Sequence, residues 1–491
     1  MTKFASLFRY KNVLLLGLGV SHALLAGKLV QAGATVTIAD QNDRAALESR
    51  IAGGALTANS VEGTSAQLTE PHIKNSHIHS TSPPRLGSRF PMVNFVLGEN
   101  YLDAIKDADI IFRTPGMYWF HPALKAAREA GKIVTSEMEV FFDLCPCKTY
   151  AVTGSDGKTT TTTLIAKILE ESGEKVHLGG NIGKALLPEI DNIAPTDAAV
   201  VELSSFQLLS MRPAPNVAVI TNITPNHLDV HKDMDEYISA KTNLIAHQGA
   251  FSKTVLNYAN EQTRALASHV RGSLVWFNGN AEQGGVYLKN STIYYGTAPI
   301  LNTSDILLPG AHNIENYMAA IAATIESAEN AEHVLAVAKT FGGVSHRMEL
   351  VKIIGGVRYY NDSISTSPAR TAAGVKAYKE LLKNAGGKLI VILGGYDKNL
   401  DFAPLAPVLS DCANICITLG ATAGKIEKSL AQVNYKGKII HVENLETAVA
   451  TARSNATSGD IITLSPAAAS FDMYRNFEAR GDHFKQIVDS L

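Results

Sequence analysis

From Tyr150 to Leu169 an apolar stretch, Tyr150-Ala151-Val152, passes through Thr153-Gly154-Ser155-Asp156-Gly157-Lys158-Thr159-Thr160 into a second one, Leu164-Ile165-Ala166-Lys167-Ile168-Leu169. An extended segment that turns through glycines straight into a helix commits its surroundings to a parallel sheet covered by helices, because the next strand must return alongside the first. The composition of the turn is equally restrictive. Gly154 and Gly157 allow backbone N–H groups to approach phosphate oxygens, Lys158 neutralises the outer phosphates of a nucleoside triphosphate, and the Thr159 hydroxyl can reach Mg²⁺. The first glycine of the general phosphate-loop pattern is missing, Val152 and Thr153 standing ahead of Gly154, so the loop is a variant form.

At 491 residues the chain exceeds what one hydrophobic core organises, and about three domains are expected. A hydrophobic share of 46% and a net charge of −2 describe an α/β enzyme without the electrostatic footprint of a nucleic-acid binder. The four cysteines, Cys145, Cys147, Cys412 and Cys416, lack zinc-site spacing and read as reduced thiols. Val13–Val20 is apolar but short and interrupted by Gly17 and Gly19, a strand and turn rather than a signal segment. Without an apolar run near 20 residues, a cytoplasmic protein with no membrane insertion is expected.

Val13–Leu16, a Gly17-x-Gly19 turn, a helix to about Ala32 and the run Thr35–Asp40 form a strand–turn–helix–strand unit ending in an acid. This is the grammar of dinucleotide-binding folds, but His22 replaces the third glycine of the fingerprint. It argues for an open parallel sheet with a ligand at its strand ends, and leaves an NAD-binding oxidoreductase as a competing reading. From Ile51 to Gly98 the chain is rich in Ser, Thr, His and Pro and reads as irregular. Strands are expected at 108–113, before the turn Thr114-Pro115-Gly116-Met117, and at 133–136, with a boundary at Ser136. The middle region alternates strands (198–203, 217–222, 254–257) with helices. It continues into short strands over 273–306 that suggest a β-rich edge, then a helix over 314–327. A second boundary falls at 341–345, after which strands are expected at 389–393, 415–418 and 461–464. The fold class is α/β, with three tandem domains: a Rossmann-like 1–136, a phosphate-loop domain 137–342 with a mostly parallel sheet, and a Rossmann-like 343–491.

Seven separated segments sharpen this reading. They are Gly154–Thr160; Gly179-Gly180-Asn181-Ile182-Gly183 with Glu202-Leu203-Ser204-Ser205-Phe206-Gln207-Leu208; Gly310–Asn316; His346-Arg347-Met348-Glu349; and Leu464–Asp472 with Asn476–Gly481. In kind and order they resemble the Mur ligases, ATP-dependent amide-forming enzymes of peptidoglycan assembly, over almost the whole chain. A folate polyglutamate ligase is a related alternative. The resemblance implies ATP, two Mg²⁺ ions, UDP-N-acetylmuramoyl-L-alanine and D-glutamate as the small molecules handled, and a monomer.

It also implies roles. Lys158 contacts phosphate within the loop formed by Gly154, Ser155, Asp156, Gly157, Thr159 and Thr160. Glu202 holds a hydrated Mg²⁺ with Thr159; a carboxylate after four apolar residues beside the phosphate loop suits that task. His227 would bind the second ion, with Asn226 departing from the Asp expected there. Lys241 would be carbamylated, which turns a cation that repels Mg²⁺ into an anion that binds it. For the nucleotide, Asn316 contacts adenine, Arg347 the phosphates beside His346, and Asp362 the ribose, while Ile364 stands where a lysine can occur. Gly17, Gly19, Val20, Ser21, Asp40, Gln41 and Gly116 line the uridine diphosphate site of the first domain. Asn181, Ser204 and Gln207 lie closer to the reacting carboxylate. Lys398, Ser470, Phe471 and Phe477 would receive the D-glutamate carboxylates.

Overall fold

The computed structural model describes residues 2–52, 92–227, 230–308, 310–325, 331–383, 386–398 and 400–491. The chain divides into two compact units, Met1–Ser304 with Ile314–Val337, and Asp305–Asn313 with Ala338–Leu491. The class is α/β, as expected from the alternation of strands and helices.

The first unit carries two sheets. One is built from β1 (Asn12–Leu16), β2 (Thr35–Asp40), β3 (Val93–Leu97), β4 (Ile110–Arg113) and β5 (Ile133–Thr135) in the order β3-β2-β1-β4-β5, all parallel. Strand β3 corrects the reading of 51–98 as wholly irregular. It is a half-buried edge strand, so it lacks the continuous apolar run by which β1 and β4 are recognised. The rest of that stretch, 53–91, lies outside the described residues.

The second sheet comprises β6 (Lys148–Thr153), β7 (Val176–Gly180), β8 (Ala198–Glu202), β9 (Val217–Ile220), β10 (Lys253–Asn257), β11 (Ser273–Phe277), β12 (Val286–Lys289), β13 (Thr292–Tyr295) and β14 (Ala298–Asn302). Their order is β14-β13-β12-β11-β10-β9-β6-β8-β7. The antiparallel β12, β13 and β14 form the β-rich edge expected from the Asn-Gly and Gly-Gly turns. Strand β6 sits between β8 and β9, where the strand order reverses, and such a point opens a crevice beyond the carboxyl ends of the strands. The phosphate loop occupies that crevice. The helix expected at 314–327 begins earlier, at Ala311, and is described to Thr324.

One hydrophobic core runs through both sheets, from Phe4, Leu15 and Phe112 to Ala151, Val201 and Ile220. Helix Glu137–Leu144 joins them by burying Met138, Phe141 and Leu144. Ser136, placed at an expected boundary, caps this helix by accepting the Glu139 N–H at 3.3 Å, which ends β5 and starts the next element within one residue.

The second unit holds β15 (Glu349–Ile354), β16 (Val357–Asn361), β17 (Leu389–Gly394), β18 (Ile415–Leu419), β19 (Lys438–His441) and β20 (Ile461–Leu464), ordered β15-β16-β20-β17-β18-β19. Only β15 is antiparallel among the paired strands. Both faces are packed, one with Val375, Tyr378 and Leu409, the other with Leu445, Val449 and Phe484. The turns after β16, β17 and β20 therefore emerge at one sheet end and carry Asp362, Lys398 and Ser470.

Candidate active site

The loop after β6 is held open by contacts that exclude side chains. Gly154 has φ 151°, and a Cβ there would collide with the Thr221 hydroxyl; Gly157 has φ 78°, and a Cβ would strike the Asn316 side-chain oxygen. Only glycine serves at both positions. The Ser155 N–H donates to the Asn222 carbonyl at 2.9 Å, and its hydroxyl donates to the Thr224 carbonyl at 2.9 Å. The Asp156 N–H donates to Asn222 Oδ1 at 2.9 Å. Lys158 folds over the loop, donating to the Gly154 and Ser155 carbonyls at 3.0 and 2.8 Å. Thr159 and Thr160 open the helix Lys158–Glu171, and the Thr161 hydroxyl donates to Asn316 Oδ1 at 3.2 Å. Asn316 thus sits directly against the phosphate loop.

Glu202 ends β8 opposite Val152 of β6 and is only 2% exposed. Its Oε1 accepts from Asn181 Nδ2 at 2.9 Å, while Oε2 is buried with no hydrogen-bond partner among the described residues. A buried carboxylate oxygen in that condition costs free energy until a cation or donor reaches it. Lys241, on helix Met234–Ala246, is 1% exposed. Its amine donates to the Gly154 carbonyl at 2.8 Å and lies 4.6 Å from the Tyr237 ring centroid. Burial, reinforced by nearby Lys158 and opposed by Asp156, lowers the Lys241 pKa to about 7.

His227 is exposed and left-handed in backbone, with its ring edge-on to Phe206 at 5.3 Å. Behind it lies a buried relay that sequence reasoning missed. His231 stacks on Phe206, with Nδ1 2.9 Å from Glu236 and Nε2 2.9 Å from the Ser205 hydroxyl. Because a carboxylate only accepts, Nδ1–H donates to Glu236, while Nε2 bonds the Ser205 hydroxyl, a group that can donate or accept. Burial would raise the Glu236 pKa, but hydrogen bonds from Tyr118 and His231 outweigh it and lower it. The relay is fully satisfied and serves to hold the loop that carries His227.

A cleft of about 280 Å³ opens where the carboxyl end of the first sheet meets the turn after β7. Val20, Ser21, Asn181 and Gln207 line it together, uniting residues expected at the sugar nucleotide with residues expected nearer the chemistry. Ser204 and Gln207 also close a capping box on the helix Ser205–Leu208, the Ser204 N–H donating to Gln207 Oε1 at 2.9 Å. Gly17, Gly19 and Asp40 belong to the turn at one edge. Asp40 accepts from the Leu18 N–H and from Asn42, so its carboxylate braces the turn. Gln41 is exposed, and a side chain at Gly116 would meet open space. His22 is buried and its Nδ1–H donates to the Gly17 carbonyl at 2.8 Å. The residue that breaks the glycine fingerprint thus locks the same turn by another route.

Arg113, also missed from sequence, ends β4 at the cleft floor and is 1% exposed. Its guanidinium donates to the Phe206 carbonyl at 2.9 Å and the Ser210 hydroxyl at 2.8 Å. Burial lowers its pKa to about 10, with Glu139 opposing and Arg128 assisting the shift.

In the second unit, Lys398 lies 5.4 Å from the Phe471 ring centroid, with Tyr396 edge-on to the same ring. Ser470 is buried, and its carbonyl receives the Met473 and Tyr474 N–H groups. Phe477 opens the last helix, its carbonyl accepting from Ser363 at 2.8 Å and its ring edge-on to His346. His346 is largely buried, which lowers its pKa with help from Lys485; Asp482 and Glu349 oppose. Asp362, expected at the ribose, is buried in the turn after β16. Its oxygens accept from the Met348 N–H and the Ser365 and Ser465 hydroxyls, bracing the turn that carries Arg347. Arg480 crosses beneath, donating to the Ser363, Ala468 and Ala469 carbonyls.

Two family models match: the Mur ligase middle domain over residues 152–324, and the Mur ligase glutamate ligase domain over 346–468. The UDP-N-acetylmuramoylalanine--D-glutamate ligase of Acetivibrio thermocellus is 44% identical, covering 100% of this chain and 99% of its own. The chain belongs to the Mur ligase family. The enzyme of the same name from Clostridium beijerinckii is 48% identical over 81% of this chain and 86% of its own. A solved Thermotoga maritima UDP-N-acetylmuramate-alanine ligase shares the fold, with TM-score 0.53 at 17% identity over 98% of this chain and 100% of its own. Membership in the Mur ligases replaces the oxidoreductase reading of the first sheet with that of an ATP-dependent amide-forming ligase.

For a Mur ligase the metal question falls on Thr159, Glu202, His227 and Lys241. Among the described residues no three His, Cys, Asp or Glu side chains are grouped to hold a metal ion. The unpartnered Glu202 oxygen does suit one, and Lys241 as an amine does not. Also among the described residues, no helix is long and apolar enough to cross a membrane.

Proposed function

We propose that the chain joins D-glutamate to UDP-N-acetylmuramoyl-L-alanine, consuming ATP and releasing ADP and phosphate, in cytoplasmic peptidoglycan precursor synthesis by a monomer. The observation carrying this is the buried, unpartnered Glu202 oxygen beside a glycine-restricted phosphate loop, in a chain matching D-glutamate ligases end to end.

A carboxylate does not condense with an amine at neutral pH. Transfer of the γ-phosphoryl group to the L-alanyl carboxylate gives an acyl phosphate; the D-glutamate nitrogen attacks its carbonyl carbon, loses a proton, and phosphate leaves with the C–O electron pair. The protein's task is positioning and charge control. Lys158 exchanges its loop carbonyls for phosphate oxygens, Asn316 faces the adenine, and Arg347, set by the Asp362-braced turn, neutralises phosphate. His346 buttresses that turn. When bound, Mg²⁺ would be held by Thr159 and Glu202, and a second ion by His227 and a carbamylated Lys241, neutralising phosphate charge. Lys241 suits that modification because a buried amine with pKa about 7 is about half neutral near pH 7, where an ordinary lysine is almost wholly charged, and the neutral amine is the form that adds CO₂. Lys398, beside Phe471, Ser470 and Phe477, meets the D-glutamate carboxylates. In the same reading 1–136 binds the sugar nucleotide, 137–342 binds ATP and 343–491 binds the amino acid.

Phosphate release with ATP, Mg²⁺, UDP-N-acetylmuramoyl-L-alanine and a panel of acceptors tests the reading. Turnover with D-glutamate above all other acceptors is expected. No phosphate with the complete set, or preference for L-alanine or a dibasic amino acid, rejects it.

A further inference from the structure

The wall of the 280 Å³ cleft contains a carboxyl group that the reaction above does not use. Glu137 opens helix Glu137–Leu144, is 8% exposed, and lies beside Ser21 and Leu187. Its Oε1 is buried and has no hydrogen-bond partner among the described residues. A satisfied structural carboxylate would use both oxygens, as Asp40 and Asp362 do. Glu137 instead leaves Oε1 unpartnered, and the residue lines a cleft whose other charged lining groups are the cations Arg113 and Lys184. Those cations suit an anionic ligand, and an ionised carboxylate among them would oppose it.

We propose that Glu137 binds the anionic sugar-nucleotide substrate in its protonated form, its carboxyl group donating a hydrogen bond to a phosphate or carboxylate oxygen of that substrate. The proposal rests on the functional reading above and adds to it a residue that selects the substrate's charge state. Burial supports it by raising the Glu137 pKa to about 7, with Ser21 and Leu187 opposing the shift. The free enzyme then holds a mixture of acid and carboxylate near neutrality, and the substrate draws it to the acid.

The other titratable groups around Glu137 do not mimic this behaviour. His22, across the cleft, has its pKa lowered to about 4 by burial, so it stays neutral. Arg113 stays charged, with a pKa of about 10. Glu139, on the same helix, is held by Ser136 and Ser210. On the packed turn Leu187–Asn192, Asp191 pairs with Lys28 at 2.6 Å and Glu189 accepts from Asn192.

Calorimetric titration of UDP-N-acetylmuramoyl-L-alanine into the full-length enzyme without ATP, in buffers of different ionisation enthalpy, measures the protons taken up on binding. A diphosphate diester has no group titrating near neutrality, so uptake reports the protein. Near pH 7.5, uptake of a substantial fraction of one proton is expected. Affinity should fall by up to tenfold per pH unit above about 7. Glu137→Gln, a permanent donor, should abolish uptake and flatten the pH dependence; Glu137→Ala should weaken binding about tenfold at pH 6.5. Equal proton uptake by wild type and Glu137→Gln, or no uptake by wild type that binds, overturns the proposal and leaves the ligase reading intact. Failure of wild type to bind this substrate at all overturns the reading on which it rests.

Discussion

Lys241 and His22 show how burial sets the chemistry of single groups. Solvent exclusion disfavours the charged form of each, bringing Lys241 down to about 7 and His22 to about 4. If the neutral Lys241 amine is carbamylated, Lys241→Ala should lose nearly all turnover, and added acetate or formate should restore part of it. Full turnover in the unsupplemented variant would remove the carbamate from the mechanism. Wild-type activity should fall below pH 7, where the amine protonates, and bicarbonate should offset part of that fall. His22 has the opposite kind of consequence, for stability. Its folded pKa lies below the unfolded value of 6.5, so the unfolded chain binds more protons between these values. Stability is therefore complete above about pH 6.5 and declines as pH falls toward 4, by at most about 3 kcal/mol. In urea unfolding at pH 7 and pH 4.5, His22→Gln, which can still donate to the Gly17 carbonyl but does not titrate, should show a smaller pH-dependent loss than wild type.

At the level of the element, the strand–loop–helix unit 148–171 is tied to the neighbouring strand β9 by the residues that follow it. Thr221 donates to the Asp156 carbonyl at 2.6 Å, and Asn222 accepts from Asp156. Gly154→Ala pushes a methyl group into the Thr221 hydroxyl at a backbone angle that L-residues avoid. Strain of about 1–3 kcal/mol should lower kcat/KM for ATP roughly 10- to 100-fold. Adding Thr221→Ala removes the collision while leaving the backbone strain, so the double variant should lose less than the sum of the single changes. Strict additivity, measured in a double-mutant cycle, would show that the clash does not govern the loop. Arg480 does comparable work in the second unit, joining the last helix to the turns after β16 and β20 through buried carbonyls. Arg480→Met leaves those acceptors unpaired and should destabilise the protein by about 3 kcal/mol, seen as a lower midpoint of thermal unfolding.

For the whole molecule, the nucleotide loop and the cleft belong to one compact unit, while Lys398 and Phe471 belong to the other. Binding defects should separate accordingly. Lys398→Ala should raise the KM for D-glutamate more than tenfold with little change in the KM for the sugar nucleotide, and a rise shared equally by both would contradict that division. The order of chemistry along the chain was legible in the sequence. Glycine spacing announces the phosphate loop, a charged residue after an apolar run announces Glu202, and alternating apolar strands announce parallel sheets, because each signal is a local consequence of backbone geometry. Edge strands β3, β15 and β19 were not legible, since a half-exposed strand loses the continuous apolar run. Arg113 gives the same signal as Glu202, a charge closing an apolar strand, yet its partners lie about a hundred residues away. His231 and Glu137 likewise acquire meaning only from Ser205, Glu236, Ser21 and Leu187. The sequence by itself thus determined the fold class, the family and the loop that holds phosphate, all of which rest on short-range patterns. The tertiary structure alone decided which buried charges are satisfied and which are left open toward a ligand, because hydrogen-bond partners and loss of solvent are properties of packing.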